Sequence, residues 1–228
     1  MHFILIGLII LAVVFGPQVW AKRTFSRYAK HQDHFPGTGG ELARHLLDKN
    51  QLSHVNLEIT ATGDHYDPLS KSVRLTEQNM NGKSLTAIAI AAHEVGHAIQ
   101  DGENHPMLSL RTRLIKTVQV AEKVGSISIV VAPVVTMLTR APAFGALFFF
   151  MGIASMFIST LVHLITLPVE WDASFGKALP QLKNGEYITE NELKGAEKIL
   201  KAAALTYVAG SLASLLNLWR WIAILRRR

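Results

Sequence analysis

Apolar and polar positions segregate along this chain on two scales, as long charge-free runs and as shorter stretches of helical or strand periodicity. Residues 1–21 contain no Lys, Arg, Asp or Glu, and Phe3 to Trp20 is long enough to cross a hydrocarbon core. A second apolar segment, 118–139, is uncharged from Val124 to Thr139. Its Glu122 and Lys123 therefore predict an interfacial or protein-facing start. The third, 142–168, lies within the longest run, since Ala141 to Val169 holds no Lys, Arg, Asp or Glu. A fourth, 202–225, is apolar from Ala202 and then meets Trp219, Arg220 and Trp221, residue types that favour an interface. The pattern predicts a mainly α fold, a polytopic helical membrane protein of about four transmembrane helices.

Between the first two runs lies the main polar segment, 22–117, where the periodicity shortens. Phe35-Pro36-Gly37-Thr38-Gly39-Gly40 is a turn-rich break, and Leu42, Leu46 and Leu47 then mark an amphipathic helix over 41–49. Val55 to Ile59 alternates with period two, as does Ser72 to Leu75. These two segments predict a small antiparallel β element around the turn-forming Gly63 to Pro68. Ser84 to Ala92 is Ala-rich and free of Pro and Gly, with Ser84 or Asn81 available as N-cap. That composition predicts a helix over about 84–100. After the third run, 169–201 is again polar.

Composition sharpens this picture in three ways. Hydrophobic residues make up 49% of the 228 positions, more than an ordinary soluble domain of this size carries with such long uncharged runs. The absence of Cys excludes disulfides and thiolate metal ligands. The net charge of +6 comes without an aromatic-basic recognition motif, so no nucleic-acid partner is expected. Lys and Arg instead read as topology signals. The segment after the first helix has 12, and the one after the third has five, which predicts that both are cytoplasmic. Lys22, Arg23, Arg27 and Lys30 follow the first run rather than precede it, which favours an uncleaved anchor over a signal peptide. The terminal Arg226-Arg227-Arg228 runs against this assignment.

Chemistry concentrates in His93-Glu94-Val95-Gly96-His97. On a helix, His93 and His97 sit one turn apart on one face, within reach of a single Zn²⁺. Glu94 beside them can take a proton from a water that the metal has acidified, so that the water attacks a peptide carbonyl. A third protein ligand must come from the same side of the membrane. Glu170, just past the third apolar run, is the expected one, with Asp172 as the alternative or as a partner that orients a ligand imidazole. His65 and Tyr66 are candidates for stabilising the oxyanion, although Asp67-Pro68 turn chemistry explains that stretch almost as well. His163 lies two helical turns before Glu170 and could approach metal or substrate. Val73 to Thr76 is the candidate edge strand for an extended substrate.

Several of these stretches together resemble the YugP-like neutral zinc metallopeptidases of prokaryotic membranes. They are Asp64-His65-Tyr66-Asp67-Pro68, Val73-Arg74-Leu75, Ala87 to Gln100 around the His-Glu-Val-Gly-His motif, and Leu167-Pro168-Val169-Glu170-Trp171-Asp172-Ala173-Ser174. Thr38 to Arg44 and Leu47-Asp48 resemble the family's early helix, so the likeness covers nearly the whole chain. It implies a zincin-like catalytic region of gluzincin type, with His93, His97 and Glu170 on one zinc per chain and Glu94 as base. In many soluble gluzincins an acid lies one turn beyond the third ligand; here that position is Ser174, and the acid is Asp172. The expectation is an integral multi-pass protease of a prokaryotic plasma membrane, acting at the cytoplasmic surface on peptide or protein substrates near the lipid bilayer. Two other readings use the same residues. A non-catalytic scaffold would enclose a structural zinc with four ligands, and an ion transporter would use Glu122, Lys123, His163 and Glu170, though it would be expected to show repeated halves.

Overall fold

A computed structural model of the chain describes residues 2–206. In order, the elements are helix α1 (His2–Tyr28), α2 (Gly39–Lys49), strands β1 (Asn56–Thr60), β2 (His65–Asp67) and β3 (Ser72–Thr76), then helices α3 (Glu77–Asn81), α4 (Leu85–Gly102), α5 (Pro106–Thr139) and α6 (Pro142–Trp171). A π-helical segment, Asp172–Ala178, continues directly from α6 into α7 (Leu179–Asn184). Helix α8 follows, its described part covering residues 190–206.

Residues 16–109 and 167–206 form one compact unit. Its helices begin where short polar side chains satisfy the free backbone donors of the first turn. Thr38 and Glu41 make a reciprocal capping box at α2, with Thr38 N–H donating to Glu41 Oε2 (2.7 Å) and Glu41 N–H to Thr38 Oγ1 (3.2 Å). Ser84 accepts from Ala87 N–H at α4 (3.2 Å). Helix α4 is the centre of the unit, because every residue from Leu85 to Gln100 is buried. A helix covered on all sides needs partners all round. Here α2, the sheet and the π-helical segment supply them, with Leu46, Leu47, Val73, Leu75, Val95, Leu182 and Ile199 among the core residues.

The sheet corrects one expectation. Its order is β1-β3-β2, with β1 parallel to β3 (Asn56 opposite Ser72) and β2 antiparallel to β3 (Tyr66 opposite Val73). The element expected as an antiparallel pair of 55–59 and 72–75 is therefore a mixed three-stranded sheet. The stretch read as a turn contains β2 itself, which forms a hairpin with β3, so β1 runs in the same direction as β3. Asp64 secures the crossing between β1 and β2, accepting from Thr76 N–H (2.6 Å) and from Asn79 Nδ2 (2.8 Å). The residues expected as a substrate-binding edge, Val73 to Thr76, belong to the central strand, whose backbone is paired with β1 throughout and with β2 over Ser72 to Arg74.

The other unit includes residues 110–166. Within it α5 and α6 approach closely where side chains are small, with Gly125 against Ser155 and Gly152 against Ile129. Arg140, at φ 52°, begins the reversal between them.

A crossing needs about 20 apolar residues in one continuous helix. Among the described residues Pro106–Thr139 is the one helix that meets this demand by length and composition, and the apolar stretch in α6 is the shorter Pro142–Ser155. The expectation of a polytopic, four-span protein is corrected accordingly to one candidate spanning helix among the described residues. The count of four came from uncharged runs alone, and among the described residues one helix meets the test of length and apolar composition together. Most of the expected fourth crossing, 202–225, lies outside the described residues. The assignment of both polar segments to the cytoplasm rested on counting four crossings, and it loses that premise. The segments do meet, through packing: 16–109 and 167–206 share one unit.

Candidate metal centre

His93 and His97 project from α4 one turn apart, with ring centroids 4.8 Å from each other and planes at 76°. Both are buried, as is Glu94. Glu170, at the C-terminal end of α6, reaches them from a distant part of the sequence and is fully buried. Its Oε2 lies 3.3 Å from His93 Nε2 and 3.2 Å from His97 Nε2. Ligands about 2.0–2.1 Å from a tetrahedral zinc stand roughly 3.3–3.4 Å apart, so the observed separations match two edges of such a tetrahedron. The donor set, two imidazole nitrogens and a carboxylate oxygen, is one that zinc accepts, and the three ligand atoms lie within 4.8 Å of one another. His93, His97 and Glu170 form a potential zinc site.

The approach of the two elements depends on Gly96. A Cβ there would lie 2.6 Å from the carbonyl oxygen of Ala173 and 3.3 Å from its C and Cα atoms. The obstacle is backbone, which cannot rotate aside as a side chain would. Gly96→Ala is expected to force α4 away from the π-helical segment, costing about 1–3 kcal/mol as an overpacked core does, and to weaken zinc retention at the same time. Thermal unfolding and metal content on one preparation check both. The π-helical segment itself is a known way of re-aiming side chains beside functional sites, and it begins two residues after Glu170.

Two residues that were not among the site candidates, Gln100 and Ser174, complete the surroundings. His97 Nδ1 pairs with Gln100 Oε1 (3.0 Å), while Gln100 Nε2 donates to Val169 O (2.9 Å) and to Asp172 Oδ2 (2.8 Å). His93 Nδ1 pairs with Ser174 Oγ (3.0 Å), which also lies 3.1 Å from Leu200 O. Each left a signal. Gln100 is one turn beyond His97 in an otherwise apolar part of α4, and Ser174 stands one turn beyond Glu170. Asp172 thus bears on the ligands through Gln100, holding its amide.

Two of the remaining candidates make contacts in and beside the sheet. Tyr66, on β2, donates to Asp101 Oδ2 (2.5 Å), which also receives Lys71 Nζ. Burial and that acidic partner push the phenol well above its ordinary range. His65 Nδ1 pairs with Gly63 O (2.8 Å). Tyr66 ties the sheet to the end of α4. His163 lies on α6, and its side chain falls outside the described residues.

Residues 3–226 match the family described as "Putative neutral zinc metallopeptidase". The chain is 37% identical over 226 residues to the "Putative membrane protease YugP" of Bacillus subtilis (strain 168), an alignment that covers 98% of this chain and 96% of that protein. No solved structure matches it. A family named for zinc and peptide hydrolysis meets, in this chain, a buried two-histidine, one-carboxylate cluster fit for that metal; the match runs almost from end to end, and the chain belongs to this zinc metallopeptidase family.

Proposed function

We propose that the chain is a zinc endopeptidase of gluzincin type, working at a membrane on peptide or protein substrates close to the bilayer, with Glu94 as general base. The observation that carries this reading is the ligand count. Three protein ligands converge among the described residues, and a catalytic zinc keeps its fourth position open for water or substrate. A structural zinc in a scaffold would call for a fourth side chain in that cluster.

Zinc in such a site lowers the pKa of water towards neutrality and polarises a carbonyl. The chain's residues divide the rest of the work. His93, His97 and Glu170 hold the metal. Glu94, three residues before His97 on the same helix, takes the proton from the attacking water and returns it to the departing amine nitrogen, so that one carboxylate serves as base and then acid. Gly96 keeps the two halves of the site within reach of each other. Membrane association is supported by the candidate spanning helix Pro106–Thr139, by the exposed Val120, Val130, Met137 and Leu138 on it, and by the name of the Bacillus relative.

Treating the detergent-solubilised full chain with 1,10-phenanthroline should abolish casein cleavage as zinc leaves, and added zinc should restore it. Cleavage that persists after metal analysis shows the zinc gone would overturn the proposal.

A further inference from the structure

The hydrogen bonds around the two histidines fix which group donates at each Nδ1. Gln100 Nε2 faces two groups that can only accept, the carbonyl of Val169 and the carboxylate of Asp172, and gives each one of its hydrogens. Turning the amide over would set its oxygen against both acceptors. Gln100 Oε1 is thereby held towards His97 and must accept from it, so the proton of His97 is on Nδ1. At the other ring, the carbonyl of Leu200 takes the single hydrogen of the Ser174 hydroxyl. Ser174 Oγ is then left to accept from His93, whose proton is also on Nδ1. In the neutral rings both Nε2 lone pairs then face Glu170 Oε2, at 3.3 and 3.2 Å. Two lone pairs and a carboxylate oxygen at that spacing repel one another unless a metal cation or a proton lies among them.

We infer that Ser174 and Gln100 are the positioning residues of this centre: they hold His93 and His97 in the Nδ1–H tautomer and orient both Nε2 atoms for metal, with Asp172 and the carbonyls of Val169 and Leu200 as their anchors. The inference rests on the zinc reading of the site but not on peptide cleavage. The arrangement divides the support between two parts of the chain. His97 is held by its own helix, through a glutamine gripped at the end of α6 and the start of the π-helical segment. His93 is held by the π-helical segment, through a serine gripped by α8. A serine does here, by accepting one hydrogen bond, what a carboxylate could do at the same position, and it adds no negative charge beside Glu170.

The test measures zinc affinity of the full chain in detergent by competition with a chromophoric chelator, for wild type, Ser174→Ala and Gln100→Met. Methionine keeps the length of the glutamine without its polar atoms. Each variant is expected to bind zinc about 10–100-fold more weakly, and to change the visible absorption bands of the cobalt-substituted protein, while its metal-free form keeps the helical circular dichroism of wild type. A purely structural role would lower the unfolding temperature and leave affinity and cobalt bands alone. Nitrogen NMR of the zinc-loaded wild type, labelled at histidine, needs no variant: both ligand rings should carry hydrogen on Nδ1. Hydrogen on Nε2 of either ring, unchanged zinc affinity in both variants, or a folded wild type that holds no zinc would each overturn the inference. Zinc bound as described by a chain that cuts no peptide would remove the proposed activity and leave the inference standing.

Discussion

Glu94→Gln retains a single zinc per chain and loses peptide cleavage by about 10²–10⁴-fold, the range over which a positioned general base accelerates proton transfer. The substitution keeps the size and shape of the side chain and one acceptor oxygen, and removes the charge and the ability to take up a proton. Glu94 is buried within α4, where a change of shape would be transmitted to the neighbouring histidines, so the amide is the appropriate replacement. Metal analysis and casein cleavage on the same preparation separate the two effects. Full cleavage in the variant would remove Glu94 from the role of base, and loss of zinc would make it a support for the ligands instead.

Glu170→Ala is expected to empty the site. The carboxylate supplies one of three ligands and the only negative charge among them, so its removal should weaken zinc by more than the roughly 10–100-fold that loss of an outer hydrogen-bond partner costs. Zinc content measured by mass spectrometry after gel filtration should fall to background, and cleavage with it. Glu170→Gln, which preserves volume in this fully buried position, distinguishes loss of the ligand from collapse of a cavity. Zinc retained at wild-type level in both variants would transfer the third ligand to another side chain, with Asp172 the first to test.

These two expectations also mark how far a sequence reading reaches. Helix α4 was legible because its determinants are local: Ser84 as cap, an Ala-rich run without Gly or Pro, and an i, i+4 pair of histidines that acquires meaning only on a helix. Helix α2 was legible for the same reason, and the capping box of Thr38 and Glu41 extends it two residues earlier than its apolar periodicity indicated. Strands β1 and β3 were found within a residue of their observed bounds, but their mutual direction was not. Period two tells which residues alternate and says nothing of which strand lies between which. The three-residue β2, hidden among turn formers, decided the order of the sheet.

Gln100 and Ser174 show the same division inside the site. A glutamine in a helix and a serine near a helix end have many uses, and their spacing from the ligands does not by itself assign these two a role. Their roles come from bonds that span 69, 72 and 81 positions of sequence, to Val169, Asp172 and His93. Tyr66 illustrates the converse. Its phenol in a turn-forming stretch made it a candidate for stabilising the oxyanion, and its bond to Asp101, 35 positions away, ties it to the end of α4.

The sequence by itself determined the donor groups on offer, because residue type and helical spacing are enough to put two imidazoles and a carboxylate side by side, and a cysteine-free composition excludes thiolate ligands. Tertiary structure alone decided what turns those groups into a centre. The close passage of the π-helical segment over Gly96 brings Glu170 within 3.3 Å of both histidines and Ser174 within 3.0 Å of one. That contact joins segments more than 70 residues apart, so it depends on packing across the whole unit, and no local preference encodes it.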